Sequence, residues 1–176
     1  MTFQPLRIAG AFVIDAERVE DERGYFARTW CSREFSEKGL PAALAQISLS
    51  VNRRAGTLRG MHMQVAPHEE SKLVRCARGS IYDVVLDLRR ESETFLQWQA
   101  VEVTAGNGCM VYVPDGCAHG FQTLVDDCEV VYHISEFYNP QSARGFRWDD
   151  PAFGIDWPLP PSVMSIADRS YPDFVR

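Results

Sequence analysis

The chain has 176 residues, 45% of them hydrophobic and 24% charged, with a formal net charge of -6. That length fits one domain spanning 1–176, with a core that needs no covalent staples, and the negative balance argues against a nucleic-acid binder. No apolar run approaches membrane-spanning length, no basic-then-apolar leader opens the chain, and the cysteines (Cys31, Cys76, Cys109, Cys117, Cys128) are odd in number without a Cys-x-x-Cys pair; reduced thiols in a cytoplasmic protein that meets neither membrane nor nucleic acid are expected.

In chain order, the first expected element is a helix from Ser32 to Lys38, with Ser32 as its cap and Gly39 as its stop. Short runs of β-like residues then dominate: Gln46–Asn52, Leu58–Gln64, Lys72–Ala77, Ser80–Leu88, Gln97–Val103, Cys109–Val113, Gly120–Leu124 and Cys128–Ser135. Alternation puts Tyr82, Val84, Leu86 and Leu88 on one face of their strand, and Cys128, Val130, Tyr132 and Ile134 on one face of theirs. Arg78-Gly79, Ala105-Gly106-Asn107-Gly108 and Asp126-Asp127 supply turns. So many short strands at regular spacing predict an all-β sandwich or barrel. The Pro-, Asp- and Trp-rich stretch from Trp148 to Pro161 reads as an irregular wrap, with a short helix near Pro161–Ala167.

Two histidines on separate strands carry the chemistry. His62 lies in Leu58-Arg59-Gly60-Met61-His62-Met63-Gln64, just before Lys72, and His119 closes Gly108-Cys109-Met110-Val111-Tyr112-Val113-Pro114-Asp115-Gly116-Cys117-Ala118-His119. The second stretch matches the spacing of the second cupin motif, and Gly56 with His62 matches the start of the first. Both a proton-transfer site and a metal site use such parts. A metal site would draw on His62, His119 and Glu69 or Glu70, but Gln64 stands where the motif has a further histidine, and an amide is a poor ligand. Alternation places His62 and Gln64 on one face and Arg59 on the other, unless a bulge at Gly60 re-aims Arg59.

From about Asp21 almost to the C-terminus the chain closely resembles the RmlC-type family, the dTDP-4-dehydrorhamnose 3,5-epimerases. The motifs are Asp21-Glu22-Arg23-Gly24-Tyr25-Phe26, Gly56-Thr57-Leu58-Arg59-Gly60-Met61-His62, Lys72-Leu73-Val74-Arg75, Asp83-Val84-Val85-Leu86-Asp87-Leu88-Arg89, Glu93-Thr94-Phe95, Pro114 to Phe121, Trp148-Asp149-Asp150-Pro151 and Gly154-Ile155-Asp156-Trp157-Pro158. The resemblance implies a cupin jelly roll, a homodimer, and no metal or other cofactor. It implies epimerisation at C3, C5 or both of a nucleotide-linked 4-keto-6-deoxy sugar, by proton removal beside the ketone and reprotonation from the other face. His62 corresponds to the family's base, Asp168 to the carboxylate behind it, Tyr132 to the acid, and Lys72 to the cation at the C4 oxygen. His119 corresponds to a second polar group there. Arg23, Phe26, Arg28, Gln46, Ser48, Arg59, Tyr138 and Arg144 correspond to substrate-binding positions.

Three positions depart from the family pattern: Arg28 replaces an acid, Ser48 an asparagine, and Met63 a tyrosine. The first two fall where the family binds nucleotide or sugar, while the acid–base set is intact. Alternative readings are therefore a mono-epimerase of a GDP- or CDP-linked 4-keto sugar, a metal-dependent cupin enzyme, and a non-catalytic sugar-binding barrel.

Overall fold

In chain order, the computed structural model describes residues 1–175 as β1 (Thr2–Pro5), β2 (Phe12–Asp15), β3 (Arg18–Asp21), β4 (Gly24–Ala27), α1 (Ser32–Glu37), β5 (Gln46–Asn52), β6 (Leu58–Gln64), β7 (Lys72–Arg78), β8 (Ser80–Asp87), β9 (Trp98–Thr104), β10 (Cys109–Val113), β11 (Cys117–Thr123), β12 (Cys128–Ile134), β13 (Ala143–Gly145) and α2 (Ile166–Ser170). Two antiparallel sheets face each other, in the orders β1-β2-β10-β7-β12-β5 and β13-β6-β11-β8-β9, while β3 and β4 form a separate hairpin. This is a cupin jelly roll. Each of the two central strands between Cys109 and Thr123 pairs within a different sheet, so the turn through Pro114–Gly116 crosses from one sheet to the other.

Strand alternation sorts the apolar residues into three layers. Val74, Cys76, Val111, Val113, Cys128 and Val130 from one sheet meet Ile81, Val85, Val103 and Phe121 from the other. Burying each such Val, Ile or Phe contributes about 1.5–3 kcal/mol. The face carrying Tyr82, Val84 and Leu86 is the opposite one, turned outward, and Phe153, Ile155 and Trp157 of the tail cover it. The irregular wrap is thus a lid over an apolar sheet face. On the outside of the other sheet, Phe35 of α1 packs with Ile14, Leu73, Met110 and Tyr112. Among the described residues nothing covers the part of that face nearest the β5 edge in this way, and Ile47, Leu49 and Val51 of β5 are exposed.

Several expected boundaries move. Cys31, not Ser32, occupies the α1 cap position, and no side chain caps it. The strand expected from Gly120 starts at Cys117, because the turn closes earlier, with the Cys117 N–H donating to the Pro114 carbonyl. The short tail helix lies after Pro161, not on it: Ser165 caps α2 by accepting from the Asp168 N–H at 3.0 Å. No helix among the described residues is long and apolar enough to cross a membrane.

Candidate active site

The inner faces of the strands are apolar at one end of the barrel and polar at the other. On β12, Cys128 and Val130 are followed by Tyr132; on β7, Cys76 and Val74 give way to Lys72. Register brings Tyr132 opposite Val74 and Ser48, and Ile134 opposite Lys72 and Gln46. The other sheet adds His119, directly opposite His62. A cavity of about 480 Å³ opens there, lined by Ser48, Arg59, His62, Lys72, His119, Tyr132, Asp168 and Tyr171 among others. A second cavity of about 510 Å³ shares His62, Ser48 and Tyr171 and continues past Gln46, Glu70, Tyr138 and Arg144.

Arg59 and His62 share this cavity because β6 is bulged. Its pairing with β11 shifts between His62↔His119 and Arg59↔Phe121, so three steps along β6 match two along β11. Gly60 sits at the bulge with φ 140°, and a Cβ there would lie 2.5 Å from the Gly120 Cα. Only glycine tolerates that combination. Asn52, itself buried, accepts from Arg59 Nε at 2.8 Å and aims the guanidinium into the cavity.

The tail returns to the barrel mouth to deliver Asp168. Leu58 N–H donates to the Val163 carbonyl and Ser162 N–H to the Gly56 carbonyl, both at 2.9 Å, which anchors the chain just before α2. Asp168 Oδ1 then lies 2.7 Å from His62 Nε2; the carboxylate side chain is 5% exposed and the imidazole 42%. Burial alone would raise the Asp168 carboxyl, but the hydrogen bond and charge of His62, with help from Ser165 and the Gly60 backbone, hold it below its ordinary value. The ionised carboxylate fixes which imidazole nitrogen carries hydrogen and how the ring is oriented.

Tyr132 faces the same cavity with its ring edge-on to His119, 5.8 Å between centroids. Burial and the charge of Asp83 push its phenol strongly upward, only partly offset by Arg59. It therefore stays protonated at any ordinary pH. His119 Nε2 is 2.7 Å from Asp83 Oδ2, and both side chains are buried. The second Asp83 oxygen has no hydrogen-bond partner among the described residues. Lys72 Nζ donates to the His62 carbonyl at 3.2 Å and lies 2.9 Å from Glu70 Oε1.

Gln64 does not join His62 in the cavity chemistry. Its amide NH₂ donates to the carbonyls of His68 and Phe137, and its oxygen accepts from the Asn139 N–H, so it ties two loops together. Glu70 is spent on Lys72. Among the described residues no three of His, Cys, Asp and Glu gather as metal donors.

The structure gathers His62, Asp168, Tyr132, Lys72, His119, Arg59 and Ser48 at one cavity and places Gln46, Tyr138 and Arg144 along the adjoining one. Arg23, Phe26 and Arg28 are not brought there within one chain. Arg23 pairs with Asp21 on the exposed β3–β4 hairpin, and Arg28 bonds Glu34 beside α1. Two residues with no role in the sequence reading, Asp83 and Tyr171, join the site, and Glu70, weighed there as a metal ligand, pairs with Lys72 instead. Tyr171 stands edge-on to His62, 6.2 Å between ring centroids, and its ring fits only because Gly145 has no side chain: a Cβ there would fall 1.9 Å from the ring. The Gly145 pairing opposite His62 was the one usable signal, and it needs β13 to be known first.

The family model for dTDP-4-dehydrorhamnose 3,5-epimerase matches residues 5–175. The chain is 44% identical over 165 residues to the dTDP-4-dehydrorhamnose 3,5-epimerase of Methanothermobacter thermautotrophicus, covering 92% of this chain and 88% of that one. It is 39% identical over 173 residues to the protein of that name from Sinorhizobium fredii, covering 98% and 89%. The crystal structure of the Bacillus anthracis enzyme of the same name, with TDP and pyrophosphate bound, superposes with a TM-score of 0.94 at 33% identity, covering 98% of this chain and 99% of that one.

Proposed function

Because the chain belongs to the dTDP-4-dehydrorhamnose 3,5-epimerase family, we propose the following course for its reaction, residue by residue. The protein is an isomerase: it epimerises a nucleotide-linked 4-keto-6-deoxyhexose in deoxysugar biosynthesis of the dTDP-rhamnose type. The nucleotide is dTDP.

C3 and C5 of such a sugar both flank the C4 ketone, so one carbonyl acidifies both carbon-bound hydrogens. The substrate's own ketone accepts the electron pair, and the reading calls on no cofactor. His62 removes the proton, and Asp168 behind it stabilises the imidazolium that results. The electron pair moves into the ring carbon–carbon bond and charge develops on the C4 oxygen. Lys72 meets that oxygen with a preplaced hydrogen-bond donor, and His119, held by Asp83, is the second polar group beside it. Tyr132 then gives its proton to the carbanion carbon from the opposite face, which inverts the centre. The tyrosinate left behind is costly in so dry a site, and the Arg59 guanidinium in the same cavity offsets part of that cost. Before the next turnover the His62 imidazolium gives its proton to solvent and the Tyr132 phenolate takes one back from solvent, so no net proton is consumed.

The observation that carries this reading is the 2.7 Å His62–Asp168 contact at the mouth of a cavity that Tyr132 also lines. Gln46, Ser48, Arg59, Tyr138 and Arg144 line the cavities where the nucleotide end would extend.

Arg23, Phe26 and Arg28 serve the site of a second copy in a homodimer. The support is physical: Phe26 is 75% exposed on a hairpin whose two strands pair only with each other among the described residues, and Ile47, Leu49 and Val51 are exposed along an apolar edge. Solution mass of twice the chain supports this, and a monomer removes it. The five free thiols suit a reducing, cytoplasmic setting.

The reaction is tested by incubating the protein with dTDP-4-keto-6-deoxyglucose in heavy water. Deuterium at C3 and C5 supports the epimerase, deuterium at one carbon makes it a mono-epimerase, and none at either overturns the reading.

A further inference from the structure

Lys72 and Glu70 are two residues apart at the start of β7, and their charged groups meet 2.9 Å apart with side chains only 9% and 10% exposed. An ammonium group has three donors. The His62 carbonyl accepts one of them at 3.2 Å, and the Glu70 carboxylate holds the group from another side as an ion pair. Lys72 and His62 both line the cavity, so the ammonium is held at its wall with donors to spare for a ligand there. A lysine side chain left to itself turns freely about a flexible four-carbon stem. The hydrogen bond and the ion pair together restrict that freedom before any ligand arrives. Glu70 also lines the adjoining cavity, so its carboxylate stands between the two compartments.

We propose that Glu70 is a positioning residue for the epimerisation: it holds the Lys72 ammonium in place, so that a free donor points at the oxygen where charge develops. The inference rests on the epimerase reading for the purpose of that donor, but the anchoring itself is a property of the free protein. A carboxylate this close cancels much of the net charge of the lysine. The contribution of Lys72 is therefore a directed hydrogen bond rather than a diffuse positive field, and direction is what Glu70 supplies.

The sequence makes the test unusually clean, because Lys38 and Lys72 are the chain's lysines. Lys38 lies on the surface at the end of α1. Nitrogen-15 lysine labelling should give an observable, slowly exchanging ammonium signal from Lys72 in the free protein. Glu70→Ala should erase that signal or bring its exchange to that of Lys38, and Glu70→Gln, which keeps an acceptor at the same place, should retain it. In turnover, Glu70→Ala should lower kcat about 10- to 100-fold with KM within threefold of wild type, and Glu70→Gln should recover kcat to within about fivefold. A Lys72 signal that is absent from the wild type, or unchanged in Glu70→Ala, overturns the proposal, as does a Glu70→Ala kcat equal to wild type. Should Glu70→Ala not fold, the wild-type signal and the Glu70→Gln variant still decide it. An inactive wild type with an anchored Lys72 would overturn the epimerase reading while leaving the anchoring in place.

Discussion

Arg59 and His62 stand three residues apart on β6 yet face the same cavity, because the strand gains one residue between them. A regular strand would set them on opposite sides, one inside the barrel and one out. The site therefore depends on backbone geometry at Gly60 as much as on the side chains that do chemistry.

Gly60→Ala should be damaging in two ways. The new Cβ would meet Gly120 at the crossing of β6 and β11, and the φ of 140° is hostile to any side chain. We expect a loss of about 2–4 kcal/mol in urea unfolding and, in the folded fraction, a fall in turnover well beyond what the unfolded share explains. Wild-type stability and turnover in this variant would mean that the bulge is not needed to hold Arg59 and His62 together.

Tyr132→Phe should separate the two halves of the reaction. The hydroxyl makes no hydrogen bond among the described residues, so its loss should leave the melting temperature nearly unchanged. His62 can still remove a proton and return a deuteron to the face it came from. Exchange with retention should persist, while inversion falls about 10²- to 10⁴-fold. Proton NMR of the recovered sugar nucleotide reads both. Inversion at the wild-type rate would remove Tyr132 as the acid.

Asp87 should set part of the acid limit of the fold. It is fully buried, and burial would raise its carboxyl, but bonds from Arg89, Ser92 and Thr94 outweigh that and hold it well below its ordinary 3.8. Its folded pKa lies below its unfolded one, so the unfolded state takes up protons first on acidification. The stability that Asp87 contributes is complete above about pH 4 and is lost as pH falls below that value toward the folded pKa. Asp87→Asn should cost about 3–5 kcal/mol at pH 7, since Arg89 is left half-buried without its counter-charge, and the gap to wild type should narrow on going from pH 5 to pH 3. A gap independent of pH would contradict this.

How far the sequence reveals the protein differs from region to region. Alternation in β5 to β12 gives the barrel strands and their paired faces, because a half-buried strand must alternate. It does not say which face is inside: Tyr82, Val84 and Leu86 do share a face, but the tail buries it from without. β1 to β4 are four residues each, and the hairpin strands are largely exposed, so they leave no apolar rhythm to read. His62, His119 and Lys72 stand out at motif spacing. Asp83 and Glu70 do not, because an ion pair between neighbouring strands or just ahead of a strand has no periodic signature. Tyr171 is visible only once the tail is seen to fold back over Gly145.

The central claim is that His62, set by Asp168, removes a carbon-bound proton beside the ketone. It is tested most directly by comparing wild type with His62→Ala in heavy water on dTDP-4-keto-6-deoxyglucose, following deuterium at C3 and C5 by NMR and the fold by circular dichroism. The account predicts deuterium uptake by the wild type and a rate about 10²- to 10⁴-fold lower in a fully folded His62→Ala protein. Uptake by that variant at the wild-type rate would contradict it.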